Sequence, residues 1–128
     1  MENTIQRGEI YLIDFGKEWQ GSIQSGLRPG VVIQNNVGNQ FSSTTIVVPL
    51  STRTRSNLPI HVLLTQTDLE SGFLLNDSIL QCEQIRVINT YSVVRMIGLV
   101  KAEKMNDIEE ALMISLGMSV KSKIKVLL

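Results

Sequence analysis

The chain has 128 residues, with 12 basic and 12 acidic side chains and 43% hydrophobic residues. That length makes one domain with a real core and excludes two, and the composition excludes a disordered chain. No apolar run nears the roughly 20 residues of a membrane helix, and zero net charge argues against a strong non-specific grip on duplex nucleic acid. A single-strand binder whose cations gather in one groove stays compatible with this charge. Residues 1–6 have neither the basic start nor the apolar core of a secretory signal. The lone Cys82 has no intramolecular partner, which fits a reducing compartment. A cytoplasmic protein is expected.

In chain order, residues 9–15 are rich in β-branched, aromatic and other apolar side chains and predict a strand that Gly16 ends. Residues 16–28 form a polar loop with three glycines and the sole tryptophan, Trp19. It is longer than an ordinary connection, which favours a functional loop. The apolar runs 30–34 and 44–50 predict two strands, joined by a turn at 35–39 whose asparagines and glycine can supply positive φ. Residues 59–64, 78–81, 86–88 and 93–100 predict further strands, with turns at 67–72 and 75–77.

Residues 103–116 differ. Met105, Ile108, Ala111, Leu112 and Leu116 recur at helical spacing, so an amphipathic helix is predicted, with Gly117 at its left-handed C-terminal cap. A domain spanning 1–117 is expected, followed by a tail, 118–128. Alternating Lys121, Lys123 and Lys125 suit that tail to a protected edge strand. Many short strands and one late helix predict a mostly β fold, a small curved antiparallel sheet or barrel with a C-terminal α-helix packed on it.

Arg28 is the most informative residue. It lies where the glycine-bearing loop meets Pro29 and then an apolar strand. Pro29 fixes its own φ and drives Arg28 towards extended backbone. The strand 44–50 stops at Ser51, which opens a polar loop bearing Arg53 and Arg55. If the two strands are neighbours, Arg28 and Ser51 meet at one edge of one sheet. A fixed cation beside a hydroxyl is what a phosphate-handling site needs. Taken singly, a surface arginine and a turn serine are structural residues more often than catalytic ones.

These segments, with Arg7-Gly8-Glu9-Ile10-Tyr11-Leu12 and Gln81-Cys82-Glu83-Gln84-Ile85-Arg86, resemble the MazF/PemK (Kid) toxin family from about residue 7 to 117, and MazF most closely. The resemblance implies the SH3-like barrel of MazF, PemK and CcdB proteins. It also implies a toxin of a type II toxin–antitoxin system: a homodimeric, sequence-specific endoribonuclease that cleaves single-stranded RNA without metal or other cofactor. The products would carry a 2′,3′-cyclic phosphate and a 5′-hydroxyl. A MazE-like antitoxin would cover the RNA groove with a segment that folds on binding.

In the family the arginine matching Arg28 is catalytic, and the hydroxyl matching Ser51 holds the scissile phosphate. An arginine suits charge stabilisation because it is permanently charged and forks onto phosphate oxygens; it is poorly suited to act as a base. Thr52 is a neighbouring alternative to Ser51. Some relatives have an arginine and an aspartate where this chain has Gln81 and Glu83, and some use a histidine in the loop before the arginine, which is absent here. The base that takes the 2′-hydroxyl proton is therefore open, with Glu83 a candidate. Arg7, Trp19, Gln24, Asn35, Arg53 and Gln84 are candidate RNA contacts, since amides and cations read base edges and phosphates while Trp19 can stack.

His61, the only histidine, lies among apolar residues and reads as a structural strand residue, as the family's histidine there does; Cys82 reads as a small apolar residue. No metal site is expected from one histidine and one cysteine without ligand spacing. Two rival readings stand beside the ribonuclease: a CcdB-like gyrase poison on the same fold, and a catalytically silent interaction module. CcdB chains lack the Arg/Ser pairing and depend on a tryptophan-bearing C-terminus, whereas this chain ends Val126-Leu127-Leu128.

Overall fold

The computed structural model describes residues 4–17, 21–53 and 57–119. Its strands are β1 (Glu9–Asp14), β2 (Leu27–Val32), β3 (Thr44–Ser51), β4 (His61–Leu64), β5 (Leu69–Gly72), β6 (Ser78–Gln81), β7 (Arg86–Asn89) and β8 (Val93–Val100). Helix α1 (Asn36–Phe41) joins β2 to β3, and α2 (Ala102–Ser115) follows β8. The sheet runs in the order β4-β6-β3-β2-β1-β8-β5, with β7 also paired to β3. It curls into a half-barrel with α2 packed on it, the mostly β architecture with a C-terminal helix that the sequence predicts. No helix among the described residues is long and apolar enough to cross a membrane.

The hydrophobic pattern explains the curl. Val31, Val48, Leu50, Leu64, Leu80 and Val100 pack beneath Met105, Ile108 and Ala111 of α2. The alternate residues Tyr11, Ile13, Val32, Val47 and Ile88 form a second cluster, to which Phe15 adds its ring. Because β1, β2 and β3 bury side chains on both faces, they read as nearly unbroken apolar runs rather than as strict alternation. Strand β3 is shared three ways. It pairs β2 through Val47–Pro49, and on its other edge β7 at Thr44–Val47 and β6 at Leu50 and Ser51.

The predicted helix is present within one residue at each end, and it stops as expected. Gly117 has φ 72°; its N–H donates to the Ile114 carbonyl at 3.1 Å, and Met118 N–H donates to the Met113 carbonyl at 2.7 Å. Those two bonds are the Schellman arrangement that closes a helix.

Two segments differ from the sequence reading. The turn expected at 35–39 is instead the start of α1, too short to be stable by propensity alone. Asn35 caps it by accepting from Gly38 N–H at 2.7 Å. Asn39 anchors it: buried, its Oδ1 accepts from Thr45 Oγ1 at 2.7 Å and Gln34 Nε2 at 3.0 Å, while its Nδ2 donates to the Gln34 carbonyl at 3.0 Å. Residues 69–72, expected to lie in a turn, form β5 against β8. Gly72 (φ 91°) lies so close to β8 that any Cβ there would collide with the Ile97 carbonyl oxygen. The expected edge strand in the tail lies at residues outside those described.

Asn39→Ala removes the partner of the buried Thr45 hydroxyl and should cost about 1–3 kcal/mol in urea unfolding. Burial pushes the Cys82 thiol from 9.0 up to about 12, with Glu83 adding to the rise. The folded thiol is thus held protonated: its stabilising contribution is complete below pH 9.0 and fades as pH rises towards about 12. At pH 8 an alkylating reagent should modify Cys82 only as fast as the protein unfolds, which mass spectrometry along a urea series would read.

Candidate active site

The β2–β3 register builds the site. Gly30 faces Pro49 in the last pair of the ladder, and beyond that pair the strands lead to Arg28 on β2 and Ser51 on β3, each two residues away. Both line one cleft of about 550 Å³, with Gln24 from the loop before β2, Thr52 and Arg53 from the loop after β3, and Gln81, Glu83 and Gln84 from the end of β6 and the turn beyond it.

Local backbone chemistry fixes Arg28. The loop between β1 and β2 is pinched at its base, where Gly26 N–H donates to the Gly16 carbonyl at 2.8 Å and Phe15 N–H to the Gly26 carbonyl at 2.9 Å. Both glycines have positive φ, 82° and 76°, which side-chain-bearing residues rarely adopt. Arg28 then folds back so that its Nε donates to the Ser25 carbonyl at 2.9 Å. Among the described residues no carboxylate pairs with its guanidinium, so the terminal nitrogens are available to an anion. Ser51 is buried, and its Oγ accepts from Arg53 N–H at 3.3 Å. The hydroxyl proton can still be donated to a phosphate oxygen.

A lattice of amides holds the walls together. Gln24 N–H donates to Gln84 Oε1 at 2.7 Å, and Gln24 Nε2 donates to Gln81 Oε1 at 2.6 Å. Gln84 Nε2 donates to the Ser22 carbonyl at 2.9 Å. Arg86, stacked 5.2 Å from the Phe15 ring centroid, donates to the Gln24 carbonyl at 2.6 Å. The long loop is thereby tied across to the turn after β6. Gln84 uses both ends of its amide in this tie, and Gln24 its Nε2, so each holds the cleft together at the same time as it lines it.

Glu83 is held from behind. Its two carboxylate oxygens lie 2.9 and 3.0 Å from His61 Nε2. Sequence reasoning set His61 aside, although the alternation in β4, with Val62 and Leu64 inward, marks it as pointing the other way. Gln81 and Arg86 were noticed only as part of a motif; their roles as fasteners depend on the loop they fasten.

The other candidates are elsewhere. Arg7 does not enter the cleft: its Nη1 pairs with Glu109 of α2 at 3.0 Å and its Nε donates to the Ile33 carbonyl at 3.0 Å, clamping the N-terminal segment to β2 and α2. Asn35 is the cap of α1 and is not among the cleft residues. Trp19 lies outside the described residues.

Solved structures share this architecture. A mycobacterial endoribonuclease matches with TM-score 0.73 and 23% identity, over 91% of this chain and 94% of its own. A mycobacterial endoribonuclease in complex with its cognate antitoxin matches with TM-score 0.74 and 24% identity, over 90% and 97%. MazF from Deinococcus radiodurans matches with TM-score 0.74 and 19% identity, over 91% and 100%. At such identities the likeness establishes the fold. The sequence pattern of the PemK-like, MazF-like toxins of type II toxin–antitoxin systems matches residues 6–116, nearly the whole chain. The protein whose cleft brings together Arg28 and Ser51 therefore belongs to the PemK-like, MazF-like toxin family.

Proposed function

We propose that this toxin is a sequence-specific endoribonuclease that cuts single-stranded RNA without a metal ion, acting in the cytoplasm to arrest translation and growth. The observation that carries the reading is the cation–hydroxyl pair, Arg28 and Ser51, in a polar cleft that also receives a carboxylate, Glu83. RNA brings its own nucleophile. As Glu83 takes the 2′-hydroxyl proton, O2′ bonds to the adjacent phosphorus, the P–O5′ bond breaks, and O5′ leaves with a proton from solvent. The products are a 2′,3′-cyclic phosphate and a 5′-hydroxyl.

Arg28 stabilises the charge that builds on the phosphorane oxygens, and Ser51, with Thr52 beside it, donates to a non-bridging oxygen. Arg53, exposed at the rim, contacts a neighbouring phosphate. The amide-rich walls of the cleft suit the base edges of a single strand. Trp19 stacks on a base of the strand, and the toxin domain ends at 117 with a basic tail beyond it.

A homodimer and a MazE-like antitoxin complete the proposal. A structural relative is known with its cognate antitoxin. For the dimer, a mainly apolar groove is lined by Leu12, Pro29, Phe73, Leu75 and Ile97 together with Arg95, and Phe73 and Leu75 are largely exposed. Apolar surface of this kind is suited to a second copy. Leu75→Glu should convert the dimer to a monomer in sedimentation at micromolar concentration.

The decisive experiment incubates purified protein with long, weakly structured RNA in EDTA and maps the ends. Specific cuts with cyclic phosphate termini are expected. Arg28→Ala should lower the rate by about 100- to 1,000-fold, the effect of losing a donor to a developing oxyanion. Ser51→Ala should lower it by about 10- to 100-fold, the worth of one hydrogen bond to a charged group. Intact RNA from folded wild-type protein would overturn this reading in favour of a gyrase-binding toxin or a silent module.

A further inference from the structure

Resting on that reading, we infer that His61 is the positioning residue of the general base: it holds the Glu83 carboxylate in the cleft and away from the arginines that must bind phosphate. His61 opens β4 and pairs with Gln81 of β6, while Glu83 lies in the turn that β6 enters. The turn's backbone is fixed by Gln84 N–H donating to the Gln81 carbonyl at 2.9 Å and by Cys82 N–H donating to the Ile60 carbonyl at 3.1 Å. Backbone bonds leave the glutamate's own rotamers free. What fixes the carboxylate is the imidazole, whose Nε2 sits almost equally far from both oxygens, at 2.9 and 3.0 Å.

The burial of the pair is unequal in the useful direction. The histidine side chain is 13% exposed and the glutamate side chain 37%. The inner partner is thus a packed strand residue, and the outer one opens onto the cleft. Glu83 shares that cleft with Arg28 and Arg53. A carboxylate among guanidiniums is drawn into a bidentate ion pair, which would occupy the fork needed for phosphate. In the structure no ion pair joins Glu83 to either arginine, and its partner is His61. An Nε2–H donor keeps the carboxylate in place in either charge state of the ring. It keeps the base beside the 2′-hydroxyl and the Arg28 terminal nitrogens open.

The test compares wild type, His61→Leu, His61→Gln, Glu83→Gln and the double variant His61→Leu/Glu83→Gln on an oligonucleotide carrying the mapped cleavage site. A second substrate has a 5′-phosphorothiolate at the scissile linkage, whose thiolate leaves without a proton. Glu83→Gln should lower kcat by about 100-fold or more, the loss of a general base. His61→Leu should lower kcat by about 10- to 100-fold through misplacement of that base, with KM for RNA within about twofold.

Both defects should persist on the phosphorothiolate, because they concern the attacking oxygen. His61→Gln, whose amide can still donate, should recover to within about fivefold of wild type. In the double variant the leucine should add nothing to the glutamine, since it acts through a carboxylate already lost. Wild-type kcat in His61→Leu, or a further loss in the double variant, would overturn the inference while leaving the ribonuclease intact. Rescue of His61→Leu by the phosphorothiolate would also overturn it, by moving His61 to the leaving group. Uncut RNA with wild type would instead remove the underlying ribonuclease reading, and this inference with it. If His61→Leu does not fold, His61→Met, which also lacks a donor, takes its place in the single and double variants and is read by the same non-additivity.

Discussion

The antiparallel pairing of β2 with β3 is the constraint on which the rest depends. Its register sets Gly30 against Pro49, two residues from Arg28 on one strand and from Ser51 on the other, and both of those line one cleft. A slip of β2 by one residue would turn Arg28 to the opposite face of the sheet while Ser51 stayed, because strand side chains alternate with period two. Such a slip is blocked by burial on both faces: Val31 and Val48 belong to the core beneath α2, and Val32 and Val47 to the second cluster. Packing thus determines the chemistry at the strand ends.

The outer edge of β3 delivers the remaining wall. β6 pairs at Leu50 and Ser51 and β7 at Thr44–Val47, so the turn between them lies along β3 and carries Glu83 and Gln84 into the cleft that Ser51 also lines. The loop from β1 closes over the opposite side, fastened by Gln24, Gln81 and Gln84. These fasteners are neutral amides. An ion-paired clamp would have neutralised the cleft's cations, whereas amides hold the walls and leave Arg28 its charge. The cleft can therefore be locally positive in a chain whose net charge is zero.

Three arginines show how neighbours decide what one side chain does. Arg7 meets Glu109 and becomes a clamp between the N-terminal segment and α2. Arg86 lies against the Phe15 ring and donates to two carbonyls, which makes it a fastener for the loop. Arg28 has one carbonyl on Nε and no carboxylate among the described residues, and so faces the cleft with its charge unpaired. The residue type is the same in each case; the difference is whether the fold brings a carboxylate, a ring or a polar cleft to it.

What the sequence determined by itself is what depends on short range. Apolar runs mark the β1, β2, β3 and β8 strands, three-and-four spacing marks α2, Gly117 marks its end, and Pro29 constrains the backbone at Arg28. Each follows from the chain's own periodicity or dihedral limits. Tertiary structure alone decided the rest. Residues 36–41 became a helix because Thr45 and Gln34 satisfy a buried Asn39. Residues 69–72 became a strand because β8 lies close enough to take a glycine. Arg7 left the candidate site for Glu109, 102 residues away in the chain, and His61 joined Glu83 across 22. A hydrogen bond or ion pair acts over about 3 Å. No local pattern records which distant groups will come within that range, so those assignments waited on the fold.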